Sequence, residues 1–203
     1  MKHLATVILC CAMAFAGHGT AASSKLGGDF TLTDHDGQSF SLSQLRGQVV
    51  MLFFGFTHCP DVCPTEMARM SQVLNDLGDQ AEQVRGLLVT TDPVRDQPEV
   101  LKQYLGHFNA RLIGLTGSAE DIAEVAQQYQ VKVEMGGQAD VDHAAMGHGS
   151  PAEHSTMDHS NMAHGANLFV IDQRGEVATI VPPGFPAAHV QRVVRKLLSD
   201  APQ

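Results

Sequence analysis

The sequence predicts an α/β fold, a sheet flanked by helices, on two observations. Apolar segments of strand length alternate with segments of helical periodicity through residues 48–129, and a strand pair followed by one more amphipathic segment closes the chain. With 203 residues and 43% hydrophobic content, one domain with a sizeable core is expected.

Each element has its own signal. Residues 28–42 alternate apolar and polar side chains around Asp36 and Gly37, the pattern of a hairpin at the start of the domain. Residues 48–54 are a continuous apolar run closed by Gly55, which suits a strand covered on both faces. A helix beginning at Cys63 follows from Pro64 in the first turn, Glu66 near the start, and Met67, Met70, Leu74 and Leu77 at helical spacing. Next come a strand over 84–91, a helix over 97–108, a short strand over 112–115 and a helix over 118–129. At the end, strands over 166–171 and 176–181 flank a turn at Asp172 to Gly175. The helix after them, about 186–198, carries Val190, Val193, Val194 and Leu197 as one apolar stripe.

Two segments fall outside this pattern. Residues 1–21 combine Lys2, an apolar run over 4–16 and small residues near Ala21, which is the layout of a signal peptide; the run is shorter than the roughly 20 residues of a spanning helix. Cleavage after Ala21 would leave residues 22–203 as one domain exported to the periplasm, the lesser alternative being an uncleaved anchor at the inner membrane. Residues 135–163 are rich in Gly, Ala, Ser, Asp, His and Met, and predict a flexible loop inserted before the last hairpin.

The formal charge of −9, from 13 Lys and Arg against 22 Asp and Glu, offers no basic surface for phosphate backbones and excludes nucleic acid as a partner. Loss of residues 1–21 would also remove Cys10 and Cys11. All remaining cysteine chemistry then sits in Cys59 and Cys63, in an oxidising compartment.

These two thiols lie four residues apart where a strand meets a helix. The partial positive charge of a helix N-terminus favours thiolate, the form that ligates metal or attacks disulfides. A three-residue spacer lets both sulfurs converge on one soft cation such as Cu(I), and leaves disulfide formation open as well. Pro60 and Pro64 restrict the loop and reduce the disorder lost when a ligand orders both sulfurs. A purely structural disulfide is the weaker reading, because closing so small a loop removes little denatured-state entropy.

The stretch FGFTHCPDVCP at 54–64 resembles the signature of the Sco/SenC family of copper proteins that serve cytochrome c oxidase assembly. The similarity continues through TDPVRD at 91–96, GLTG at 114–117 and AQQY at 126–129, covers roughly residues 27–133 and resumes near His164. The resemblance implies a thioredoxin-like fold that binds one copper through the two motif cysteines and a histidine on a later hairpin.

Five histidines precede that hairpin: His143, His148, His154, His159 and His164. In the family the ligand stands at a nearly fixed distance before the strand and its turn glycine, and the distance from His164 to Gly175 reproduces it. His159 has the family's neighbouring letters, in Asp158 and Ser160, but sits five residues too early. Spacing is preferred to letters, because strand register determines which side chain reaches the cysteine loop. The metal site expected is therefore Cys59, Cys63 and His164. His143, Met146, His148, His154, Met157, His159 and Met162 interleave imidazoles with thioethers, which suit Cu(II) and Cu(I), and form a candidate auxiliary copper-collecting arm. The alternative for that arm is a solvated linker. His58 is read as a group that tunes the Cys59 thiol or approaches the metal, or as a motif neighbour that hydrogen-bonds backbone. His35, His107 and His189 carry no spacing signal.

Three functions compete. The first is a metallochaperone delivering copper to a cuproenzyme, in particular the copper-bearing subunit of the oxidase, with another copper chaperone and a thiol reductant as further partners. The second is a thiol-disulfide oxidoreductase that uses Cys59 and Cys63 and needs no histidine. The third, a peroxidase, is disfavoured because Pro60 stands where that class places a hydroxyl residue three positions before its reactive cysteine.

Overall fold

The computed structural model of this chain describes residues 25–133 and 166–200. The expected signal peptide at 1–21, the loop at 135–163 and His164 lie outside the described residues.

Eleven regular elements follow one another: β1 (Thr31–Asp34), β2 (Ser39–Ser41), β3 (Val49–Gly55), α1 (Val62–Leu77), β4 (Val84–Thr90), α2 (Pro98–Leu105), β5 (Leu112–Thr116), α3 (Ala119–Gln128), β6 (Leu168–Ile171), β7 (Val177–Val181) and α4 (Ala187–Ser199). Two short 3-10 segments, Leu42–Leu45 and Gly78–Gln83, have no counterpart among the sequence expectations. The strands form one seven-stranded sheet in the order β2-β1-β5-β4-β3-β6-β7. β3, β4 and β5 are parallel neighbours, whereas β6 joins β3 and β1 joins β5 antiparallel. This is the thioredoxin-like arrangement expected.

β3 is central because all seven of its residues are buried, as its unbroken apolar run requires. Its side chains alternate between two cores. Val49, Met51 and Phe53 pack with α1, α2 and α4 residues such as Met67, Leu101 and Val190. Val50, Leu52 and Phe54 pack with α3 residues such as Ile122 and Val125, and with Tyr129 and Phe169. Each such side chain contributes on the order of 1.5–3 kcal/mol of burial, so the strand that carries the cysteine loop is among the best anchored parts of the molecule.

Local chemistry sets the helix ends. α3 starts with a capping box: the Asp121 amide donates to Ser118 Oγ, and the Ser118 amide donates to Asp121 Oδ2, each at 3.1 Å. α2 is shorter than the 97–108 expected, because after Leu105 the amides of His107 and Phe108 bond three residues back, to Tyr104 and Leu105. Among the described residues no helix is long and apolar enough to cross a membrane.

Candidate metal centre at the end of the central strand

The loop from Phe56 to Asp61 leaves the carboxyl end of β3 and delivers both cysteines to the start of α1, the crevice position favoured for ligands in open α/β sheets. Gly55 ends the strand because nothing larger fits: a Cβ there would lie 2.6 Å from Phe53 Cε1 and 2.8 Å from Cys63 Sγ. Cys63 is buried, 4% exposed, while Cys59 is half-buried, and both are free thiols.

The pair is electrostatically unequal. Burial pushes the Cys63 thiol up to about 12, opposed by a hydrogen bond from the Phe56 backbone and reinforced by Cys59 and Asp96. Burial also works to raise Cys59, but hydrogen bonds from the Asp61, Cys63 and Val62 backbone and the Cys63 thiol outweigh it and hold Cys59 below the ordinary thiol value. Those amides are the unpaired donors of the first turn of α1. The Cys63 amide reaches Cys59 Sγ at 3.4 Å, the thiolate-favouring placement expected of a helix N-terminus.

A carboxylate on the neighbouring loop braces this site. The register pairs Gly55 with Thr90, and the Thr91 amide donates to Gly55 O at 2.8 Å, so the segment after β4 runs beside the cysteine loop. Asp96, wholly buried, accepts three hydrogen bonds there: from the Thr57 amide at 3.0 Å, Thr57 Oγ1 at 2.5 Å and Thr90 Oγ1 at 2.6 Å. Thr90 Oγ1 in turn accepts the Asp92 amide at 2.9 Å. Thr57 Oγ1 also lies 3.0 Å from His58 Nδ1. His58 is therefore held by a side chain rather than by backbone, with just over half its side-chain surface exposed.

Further out, Glu66 is buried at 5% exposure and receives Nε and one terminal nitrogen of Arg69, whose other terminal nitrogen donates to Phe185 O at 2.7 Å. This ties the loop before α4 to the helix of the cysteines. The Tyr104 ring packs against the same core as Cys59, and burial, followed by the charges of Cys63, Cys59 and Asp96, pushes its phenol up to about 12.

Of the residues expected at the site, the structure brings Cys59 and Cys63 together. His164, His143, Met146, His148, His154, Met157, His159 and Met162 lie outside the described residues, among which no cluster of three or more His, Cys, Asp and Glu could hold a metal ion. His35 is engaged elsewhere, its Nδ1 accepting the Gly114 amide at 3.0 Å, and His189 packs its ring on Phe185. The sequence marks Glu66 as a helix-start residue but does not point to the bracing roles of Thr57, Thr90, Asp96 or the Glu66–Arg69 pair. The only signal available was the repeated acid of DPVRD beside a β-strand end.

The SCO1/SenC family model matches residues 18–199. A SCO2-like protein of Rickettsia felis is 41% identical over 107 residues, covering 53% of this chain and 52% of its own length. The mitochondrial SCO2 homolog of Bos taurus is 47% identical over 108 residues, covering 51% of this chain and 40% of its own. The chain thus spans about half the length, or less, of these curated relatives. Among solved structures it is similar to Bradyrhizobium japonicum ScoI with copper bound, at a TM-score of 0.68 and 32% identity, covering 85% of this chain and 99% of that one.

Proposed function

The chain belongs to the SCO1/SenC family, and from that premise we propose that it is a periplasmic copper metallochaperone that carries copper as cargo to a cuproenzyme, in particular the binuclear copper centre of cytochrome c oxidase. The observation that carries this reading is the dithiol itself. A half-buried thiol of lowered pKa and a buried thiol share one helix N-terminus, and two soft donors on a braced loop fit a single copper ion. In this reading Cys59 and Cys63 hold the metal with His164 as third ligand. The loop at 135–163, with His143, Met146, His148, His154, Met157, His159 and Met162, collects further copper. Delivery proceeds by exchange of these ligands for those of the receiving oxidase subunit. Because only the reduced pair binds, the chain depends on a thiol reductant.

A second reading, a thiol-disulfide oxidoreductase that keeps a partner's copper-receiving cysteines reduced, draws support from the inequality of the two thiols. A more accessible thiol of lowered pKa that attacks and a buried thiol that resolves are what exchange requires, and half-buried Cys59 and buried Cys63 fill those places.

Anaerobic copper titration with metal counting separates the two, using wild type, His164→Ala, His159→Ala and a variant lacking residues 135–160. The chaperone reading expects tight stoichiometric copper lost in His164→Ala, retained in His159→Ala, with extra equivalents lost in the deletion. Copper binding unchanged in His164→Ala removes that ligand. Absence of copper binding in the reduced wild type removes the chaperone reading and leaves the oxidoreductase.

A further inference from the structure

His58 stands next to Cys59, and hydrogen-bond accounting determines how its ring is presented. Asp96 is wholly buried and surrounded by donors: the Thr57 amide, which can only donate, and the Thr90 hydroxyl, whose oxygen already accepts the Asp92 amide. With the carboxylate accepting at Oδ2 from the Thr57 amide and Thr90 Oγ1 and at Oδ1 from the Thr57 hydroxyl at 2.5 Å, that hydroxyl has spent its single proton on Asp96. What remains on Thr57 Oγ1 is a lone pair, and the His58 nitrogen 3.0 Å from it is Nδ1. Nδ1 must carry the hydrogen. In the neutral ring, Nε2 then holds the free lone pair.

This is the arrangement by which metal-binding histidines are usually prepared. One ring nitrogen donates to a carboxylate, directly or through a relay, which selects the tautomer, orients the ring and raises the basicity of the other nitrogen. Here the relay runs from His58 Nδ1 through Thr57 Oγ1 to Asp96, the ring nitrogen and the carboxylate oxygen being 3.8 Å apart. The side chain of His58 is 53% exposed, whereas Cys59 is half-buried and Cys63 is 4% exposed, so the imidazole is the most open of the three groups to an arriving ion.

We propose that His58 is a copper-contacting residue of the transfer step: its Nε2, freed by the relay to Asp96, takes the incoming ion and passes it to Cys59. The proposal rests on the chaperone reading above. No electron changes hands in this step. The imidazole lone pair replaces a water on the ion, and the Cys59 sulfur, its thiol proton passing to water, then replaces the imidazole.

Two measurements test it. In the reduced, metal-free protein, nitrogen NMR of the imidazoles is expected to show His58 protonated at Nδ1 and bare at Nε2; the opposite tautomer overturns the proposal without reference to copper. In anaerobic stopped-flow mixing with aqueous Cu(II), followed by thiolate-to-copper absorption, His58→Ala is expected to bind about tenfold more slowly while reaching the wild-type stoichiometry and final spectrum. Thr57→Val, which keeps the ring but removes the relay, should slow in the same direction, and Thr57→Ser should restore the rate. Wild-type rates in His58→Ala overturn the inference and leave the chaperone reading standing. Absence of any copper signal in wild type overturns both.

Discussion

The amide of Cys63 donates to the Sγ of Cys59 across 3.4 Å, so a cysteine sulfur caps α1 while Asp61, at the cap position itself, makes no side-chain cap bond. Sulfur in this role gathers the unpaired first-turn donors that a Ser or Asp oxygen ordinarily takes, and the negative form is the better acceptor. The capping geometry and the lowered pKa of Cys59 are one effect.

Alkylation should therefore discriminate between the two thiols. In the reduced, metal-free protein, iodoacetamide is expected to label Cys59 with a half-maximal rate below pH 9, the thiolate form being present there, and to leave Cys63 unlabelled until the protein is denatured. Peptide mass spectrometry of samples quenched across pH 6–10 reads both sites, and equal labelling of the two in the folded state would contradict this assignment.

Gly55 is required by contact rather than by backbone conformation. A methyl group there meets Phe53 Cε1 at 2.6 Å and Cys63 Sγ at 2.8 Å, so Gly55→Ala should destabilise by about 1–3 kcal/mol in urea unfolding. Combining it with Cys63→Ala removes one of the two clashing atoms, and the double variant should be less destabilised than the sum of the singles. Strict additivity would mean that the sulfur does not press on this position.

Arg69 holds a buried charge and a loop together. Arg69→Met would leave the Glu66 carboxylate buried without its partner and release Phe185 O, for a cost of about 3–5 kcal/mol at neutral pH. Burial, opposed by Arg69, already raises the Glu66 pKa, and without Arg69 the carboxyl protonates more readily still. The penalty should accordingly shrink as pH falls toward 5, and Glu66→Gln in the Arg69→Met background should recover part of the loss at pH 7. A pH-independent penalty would assign the effect to lost packing alone.

The elements were legible because each carries a local pattern. β3 is one apolar run, and α1 repeats Met67, Met70, Leu74 and Leu77. The antiparallel docking of β1 on β5 and of β6 on β3 has no such local marker, since strand order depends on long-range packing. At the site, the cysteines announced themselves by spacing. Asp96 did not, because an acid after a strand reads as a turn residue until the β3–β4 register places it under Thr57. Glu66 was similarly read as a favourable charge near a helix start, whereas it is a buried ion-pair partner.

Stability of the reduced protein should pass through a maximum near pH 9 as far as the thiols contribute. An unfolded thiol titrates at 9.0, while folded Cys63 keeps its proton until about 12, so between those values the unfolded state binds fewer protons and stability falls as pH rises. The fall is about 1.4 kcal/mol per pH unit while the gap is open. Cys59 acts in the opposite sense: with its folded value lowered, the unfolded state binds more protons below 9.0, so its contribution is lost as pH falls through the folded value. Urea unfolding of wild type and Cys63→Ala, both reduced, metal-free and anaerobic, reads the Cys63 part above pH 9: groups the Cys63 side chain does not touch cancel in the difference, and Cys59, whose value the Cys63 thiol helps to lower, adds its own change below pH 9. The stability of wild type relative to Cys63→Ala is expected to decline from pH 9 to pH 10.5. A difference that stays flat over that upper range would mean that the buried thiol ionises in the folded protein as easily as in the unfolded chain.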